Sequence, residues 1–265
     1  MNEWPLLIFT LVLQAAIGGC IALRIYASRL SKVMNEDEVY KLLKPALIAL
    51  GIMAVLGLLA SLLHLGSPLS APKAILNIGS SWLSREILVT GLFILMMLLT
   101  VFSSTKNQKI NITLLSVSAL VGVADVYAMA FIYISTIIAQ WTPENTLVTF
   151  YGTTLILGPV IMSTLIVPNL KEEKAIKSVM TPTILLIVAS LVIQLVVFTV
   201  SSPAVSSIVV DLIRWILAVL GVATVVHALW QSAKEDGKIN ASLLYLSFAF
   251  ILISELIGRY LFYTI

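Results

Sequence analysis

Long apolar runs separated by short polar connections make up this chain. A run of roughly 20 mostly apolar residues is long enough to cross a bilayer as a helix. Eight stretches reach that length, at about 5–28, 43–65, 82–103, 112–135, 146–168, 180–200, 206–231 and 240–264. They are continuously apolar and do not alternate with a period of two, which rejects a transmembrane β-barrel. Backbone N–H and C=O groups in hydrocarbon must be satisfied within their own segment, so each run is expected to be an α-helix. The expected fold is an all-α, polytopic membrane bundle of eight transmembrane helices. The runs fill nearly all of the 265 residues, so 1–265 reads as a single membrane domain, with a four-plus-four split near 136–146 open on span number alone. The first run opens on Glu3-Trp4-Pro5 without a basic leader, which reads as a retained span and not a cleaved signal peptide.

Composition narrows the functional classes. Hydrophobic residues are 60% of the chain and charged residues 11%, against about 45–50% and about 25% in soluble domains. A soluble enzyme, a disordered regulator and a nucleic-acid-binding domain are therefore rejected, and the lipid bilayer is the first partner. The net charge of +3 reports orientation here, because Lys and Arg concentrate on the cytoplasmic side of membrane proteins. With eight spans, one side collects Arg24, Arg29, Lys32, Lys41, Lys44, Lys106, Lys109, Lys171, Lys174, Lys177, Lys234 and Lys238, which is 12 of the 16 basic residues. The other side has Lys73, Arg85, Arg214 and Arg259. The first side is expected to be cytoplasmic and both termini external, in the inner (cytoplasmic) membrane of the cell. A single cysteine, Cys20, rules out an intramolecular disulfide and a Cys-ligated cluster within this chain.

Ionisable side chains at membrane depth cost at least ~2.5 kcal/mol each on insertion scales and are functional candidates by default. Here they gather toward the expected outer side. His64 ends the second span, Arg85 and Glu86 begin the third, Asp125 lies in the outer half of the fourth, Asp211 and Arg214 begin the seventh, and Glu255 and Arg259 lie toward the outer end of the eighth. Asp211 with Arg214, and Glu255 with Arg259, have the spacing of pairs along one helix face, which also suits plain helix-end anchoring. Arg85 and Glu86 are adjacent and leave the helix in different directions, so one of them is expected to reach another helix or a ligand. Asp125 reads as a hydrogen-bonded carboxyl inside the bundle, with proton transfer as the functional alternative. Trp4, Trp82, Trp141, Tyr260 and Tyr263 read as interface anchors. His64 stands where Gly66 and Pro68 break the helix, and an imidazole titrates near neutral pH. Those are the properties wanted in a group that takes a proton from a quinol hydroxyl. A haem within this chain is not expected, because the only other histidine, His227, lies ~30 Å away along the membrane normal.

Four segments carry a family resemblance. Glu3-Trp4-Pro5-Leu6, His64-Leu65-Gly66-Ser67-Pro68, Ser81-Trp82-Leu83-Ser84-Arg85-Glu86-Ile87 and Glu255-Leu256-Ile257-Gly258-Arg259-Tyr260-Leu261-Phe262-Tyr263 together resemble the membrane-anchor subunit of anaerobic dimethyl sulfoxide reductase. The resemblance covers the full length in span number and order. It implies an anchor that is not an enzyme alone: it holds a molybdopterin catalytic subunit and an iron–sulfur electron-transfer subunit on the outer face. It also implies oxidation of menaquinol without a haem or iron–sulfur cluster in this chain, for anaerobic respiration. The histidine of the second segment and the acidic residue of the third are associated with quinol in that family, which carries to His64 and Glu86. Arg85, Asp125, Glu255 and Arg259 complete the expected quinone-binding set, the last two as pocket wall. A secondary transporter for a small solute and a structural anchor without quinone chemistry stay open as alternatives. Gly158-Pro159 in the fifth span is the break a transporter would use.

Overall fold

The computed structural model describes residues 4–64, 75–201, 207–234 and 240–264. Eight long α-helices follow one another: α1 (Trp4–Leu30), α2 (Glu36–His64), α3 (Trp82–Asn107), α4 (Ile112–Ile134), α5 (Pro143–Ile166), α6 (Glu173–Ser201), α7 (Ile208–Lys234) and α8 (Ala241–Tyr263). Short 3₁₀ turns at Ile75–Asn77 and Val167–Asn169 are the other regular elements, and no strand occurs among the described residues. All eight helices are long and apolar enough to cross a membrane. The chain is a multi-pass membrane protein.

Several helices outrun the apolar stretches that announced them. α2 begins at Glu36, seven residues before the apolar run, because Asn35 and Glu38 cap each other. The Glu38 backbone N–H donates to Asn35 Oδ1 at 2.9 Å, and the Asn35 N–H donates to Glu38 Oε2 at 3.2 Å. This reciprocal pairing satisfies two helix-start donors at once. α6 begins at Glu173, which pairs with Lys177 one turn on. Such ends stand in water, where caps and i,i+4 pairs take over from apolar burial.

Two helices form the centre. In α1 and α5, 78% of the most apolar window is buried inside the protein, against 28–44% in the other six. α1 packs on α2, α4, α5, α6 and α8, and α5 packs on α1, α2, α4, α6 and α8. The α1–α5 crossing is backbone on backbone. A Cβ on Gly158 would stand 2.5 Å from Gly18 Cα, so only small residues allow this approach, as is usual where helices associate in lipid. α5 continues unbroken through Gly158-Pro159. α4 of the α3–α4 hairpin and α8 of the α7–α8 hairpin both pack on α1 and α5. An even number of spans returns the chain to its starting face, where Trp4 of α1 stacks on Tyr260 of α8 with ring centroids 6.3 Å apart. That face is called the terminal face below.

Candidate functional site

The start of α3 sorts two adjacent charges in opposite directions. Ser81 caps the helix by accepting from the Ser84 N–H. Arg85 turns back over the preceding turn: Nε donates to Ile78 O and Nη2 to Gly79 O, both at 2.9 Å, and the guanidinium stacks 4.3 Å from the Trp82 ring. Glu86 turns inward and is buried. Thr90, one turn further along the same face, donates its hydroxyl to Asp125 Oδ1 of α4 at 2.8 Å. Asp125 is fully buried, and its Oδ2 has no hydrogen-bond partner. Glu86 is close enough for the two carboxyls to interact electrostatically. Neither forms an ion pair among the described residues.

A second buried cluster lies between α5, α7 and α8. The i,i+4 spacing suggests a direct Glu255–Arg259 pair, but a hydroxyl of α5 stands between them. Arg259 Nη2 donates to Thr153 Oγ1 at 3.2 Å, and Thr153 donates to Glu255 Oε2 at 2.6 Å. Arg259 Nη2 also donates to Gln14 Oε1 of α1 at 2.5 Å, and its guanidinium lies 4.1 Å from the Phe150 ring. Its Nε and Nη1 have no hydrogen-bond partner although the residue is 1% exposed. Beside it, Arg214 pairs with Asp211 at 3.6 Å along α7, as the i,i+3 spacing suggests, and stacks 4.4 Å from Trp215. Trp215 Nε1 donates to Asp211 Oδ2 at 3.1 Å.

A chain of hydroxyls lies near both clusters. Tyr133 of α4 donates to the Tyr263 hydroxyl of α8 at 3.3 Å, Tyr263 donates to Thr10 of α1 at 3.1 Å, and Thr10 donates to Leu6 O at 3.1 Å. Both tyrosine hydroxyls lie within electrostatic reach of Glu86 on one side and Arg259 on the other. Trp141 closes the aromatic wall, donating Nε1 to Phe262 O at 3.1 Å. Tyr263 and Trp141, which the sequence suggested as interface anchors, thus take part in the buried packing. Trp4 and Tyr260 remain exposed, as such anchors do.

Depth along the helices places these groups in one layer. At ~1.5 Å per residue, Glu86 and Arg259 lie ~6 Å from the terminal-face ends of α3 and α8, and Asp125 ~14 Å from that of α4. Every buried Asp, Glu or Arg among the described residues (Glu86, Asp125, Arg214, Glu255 and Arg259) lies in this half of the bundle. His64 is the last residue of α2 at the same face. Its side chain, and the Leu65-Gly66-Ser67-Pro68 turn, lie outside the described residues. The structure therefore brings Glu86 within electrostatic range of Asp125 and Glu255 to Arg259 through Thr153, sets the Tyr133 and Tyr263 hydroxyls within electrostatic reach of Glu86 and Arg259, and holds Arg85 apart against a loop. Thr10, Gln14, Thr90, Tyr133 and Thr153 belong to the layer without having been singled out from the sequence. Thr10 and Gln14, four apart in an otherwise apolar run, were the available signal.

Comparisons with known proteins cover the whole length of the sequence. A family profile described as DMSO reductase anchor subunit (DmsC) matches residues 1–265. The C subunit of anaerobic dimethyl sulfoxide reductase from Escherichia coli (strain K12) is 29% identical over 281 residues, 99% of this chain and 94% of that protein. The protein of the same name from Haemophilus influenzae is 28% identical over 65% of this chain and 62% of its own length. The anaerobic dimethyl sulfoxide reductase subunit YnfH of E. coli is 30% identical over 62% of this chain and 58% of its own length. No solved structure matches the chain.

Proposed function

Because the chain belongs to the DMSO reductase anchor subunit family, we propose that it anchors a molybdopterin oxidoreductase to the inner membrane and oxidises menaquinol for it. The observation that carries this reading is the gathering of the buried ionisable side chains at the terminal face, the face that also receives His64. The sparing placement of Lys and Arg there supports reading it as the external face. A partner iron–sulfur electron-transfer subunit docks on that face, with the molybdopterin catalytic subunit beyond it.

Quinol oxidation releases two protons and two electrons and leaves the quinone. Quinol enters from the lipid near the terminal-face ends of α2, α3 and α8. His64 accepts a hydrogen bond from one hydroxyl and takes its proton. Glu86, turned inward at the start of α3, takes the proton of the other. Proton transfer to a positioned side chain typically contributes about 10²–10⁴ in rate. Asp125 lies behind Glu86 as a further hydrogen-bonding wall, and Glu255 with Arg259 fixes the α8 side of the pocket. Arg85 holds the loop over the entrance through Ile78 and Gly79. The electrons pass to the partner's iron–sulfur cluster, so the anchor supplies position and proton acceptors while the partners' cofactors carry the redox chemistry.

Membranes containing the complex with His64→Ala or Glu86→Gln test this reading. Menaquinol-dependent turnover is expected to fall about 10²–10⁴-fold in each, while a water-soluble artificial donor feeding the partner subunits keeps its rate. Unchanged quinol activity in both variants would move the site elsewhere. A parallel loss of both activities would make these residues assembly determinants and leave the quinol reading without support.

A further inference from the structure

Two stretches of chain at the terminal face are built without charge. Residues 75–81 lead into α3 and residues 135–142 join α4 to α5, and neither stretch contains Asp, Glu, Lys, Arg or His. The three described connections of the opposite face carry Lys32, Lys109 and Lys171. In place of charge, the terminal-face loops present aliphatic side chains. Ile137 is fully exposed, Leu76 is 84% exposed, and Ile78 and Ile138 are each 36% exposed. The two loops are neighbours, because Trp82 at the root of the first and Phe131 near the root of the second have ring centroids 4.7 Å apart.

The second loop is held in one shape by its own hydrogen bonds. The Thr136 hydroxyl donates to Tyr133 O at 2.7 Å and accepts from the Ile138 N–H at 3.4 Å, and the Trp141 N–H donates to Ile138 O at 3.1 Å. Its route keeps it away from lipid. It runs from α4 to the start of α5, one of the two central helices, and Trp141 pins it there by donating Nε1 to Phe262 O of α8. The apolar run of α4 ends at about residue 135, so Ile137 lies beyond the hydrocarbon, over the bundle and not at its lipid edge. An aliphatic side chain in that position meets water unless a protein covers it. Single apolar residues are ordinary on a surface, but neighbouring ones in a charge-free patch mark an association site.

We propose that these two loops seat the partner electron-transfer subunit, with Ile137 as the anchor that enters an apolar recess of that subunit. The proposal rests on the reading that this face is external and receives the partner, and it adds which part of the face makes the contact. Three observations select this occupant. The second loop stands over the bundle, out of reach of an acyl chain and of a second copy lying alongside in the same bilayer. Both loops lack charge, as the cores of protein–protein interfaces do. Their roots lead into the layer assigned to quinol: Tyr133 donates to the Tyr263 hydroxyl within it, and Trp82 opens the helix that carries Glu86. A subunit seated here therefore lies directly above those groups, which is where electrons leaving quinol need an acceptor. The fixed shape of the second loop lowers the ordering cost of binding.

Membranes carrying the whole complex test the proposal. Artificial-donor activity measures the partner subunits wherever they are, so its division between washed membranes and supernatant reports docking. Ile137→Asp is expected to weaken docking about 30-fold or more, as loss of an interface anchor does, and to move the activity to the supernatant while this chain stays in the membrane. Leu76→Asp is expected to act in the same direction more weakly. Ile137→Leu keeps the apolar contact and is expected to behave as the wild type. Wild-type retention in both Asp variants overturns the proposal. Loss of the Ile137→Asp chain from the membrane overturns it by making Ile137 a folding residue. A changed number of copies of this chain per complex, with the partners still bound, overturns it by giving the loops to a second copy. Failure of the quinol reading is a separate outcome: unchanged quinol turnover in His64→Ala and Glu86→Gln would remove that reading, while Ile137→Asp would still release the partners.

Discussion

The α3–α4 cluster and the α7–α8 cluster hold the same number of carboxyls and differ in everything around them. Asp125 accepts from the Thr90 hydroxyl, and no cation of the described residues pairs with it or with Glu86. Glu255 and Asp211 meet two guanidinium groups, one through Thr153 and one at 3.6 Å. Negative charge in the first cluster would meet no cation of the described residues, which suits a place where protons arrive and leave. In the second, charges of both signs balance and can be held permanently, which suits a frame. Arg259 shows the framing role in its contacts, since its single Nη2 ties α8 to α1 through Gln14 and to α5 through Thr153. The same residue classes at the same depth can thus make a proton acceptor or a fixed brace, and the neighbours decide which.

Breaking the balance of the second cluster should have the largest effect on stability. Arg259→Leu takes away the guanidinium that reaches Glu255 through Thr153 and removes the donor to Gln14, and removing one partner of buried compensating charges costs up to about 3–5 kcal/mol. The expected outcome is a lower thermal unfolding temperature of the purified complex and poor assembly. The double variant Arg259→Leu with Glu255→Leu should recover much of the loss, because replacing a buried pair as a whole is often neutral. If the double variant is no more stable than the single one, the cluster does not act as a charge-balanced brace.

A smaller effect is expected from Thr90→Val in the first cluster. The shape is kept, but Asp125 loses its only described donor while its Oδ2 is already unpartnered. Leaving a buried acceptor unsatisfied costs about 1–3 kcal/mol. The loss should disappear when Asp125→Leu is added, since no acceptor then remains. Persistence of the full loss in the double variant would mean that Thr90 acts through packing and not through the carboxyl.

The spans were legible because hydrocarbon leaves a polypeptide few choices: apolar runs of this length become helices, and their number fixes which ends share a face. The lopsided placement of Glu86, Asp125, Arg214, Glu255 and Arg259 was legible for the same reason, since depth follows from counting residues along a helix. Partners were less legible. Asp211 with Arg214 could be read from spacing, because both stand on one helix. Glu255 with Arg259 has equally good spacing, yet Thr153 comes between them from α5, 102 residues from Glu255 in sequence. Tyr263 looked like an anchor because aromatic residues at span ends usually face the interface. Here Thr10 of α1 and Tyr133 of α4 offer its hydroxyl partners, and nothing local in the sequence of α8 announces them. Helix extensions at Glu36 and Glu173 escaped a reading based on apolarity, because caps and ion pairs set those ends.

A neutral contact on the same two helices as the carboxyl cluster supplies the smallest expected effect and the control for both larger ones. Further from the terminal face, Thr100 of α3 and Ser118 of α4 face each other with hydroxyl oxygens 3.0 Å apart, and both are buried. Each has a second acceptor in its own helix: Thr100 lies 2.7 Å from Met96 O and Ser118 2.9 Å from Leu114 O. Thr100→Val therefore removes an interhelical hydrogen bond without stranding a polar atom, since Ser118 turns to Leu114. Hydrogen bonds of this kind between membrane helices average about 0.6 kcal/mol. The variant complex should unfold within a degree or two of the wild type and keep both quinol-dependent and artificial-donor activity. A loss as large as that of Thr90→Val would show that any polar contact between α3 and α4 matters equally. The distinction drawn from charge at Asp125 would then fail.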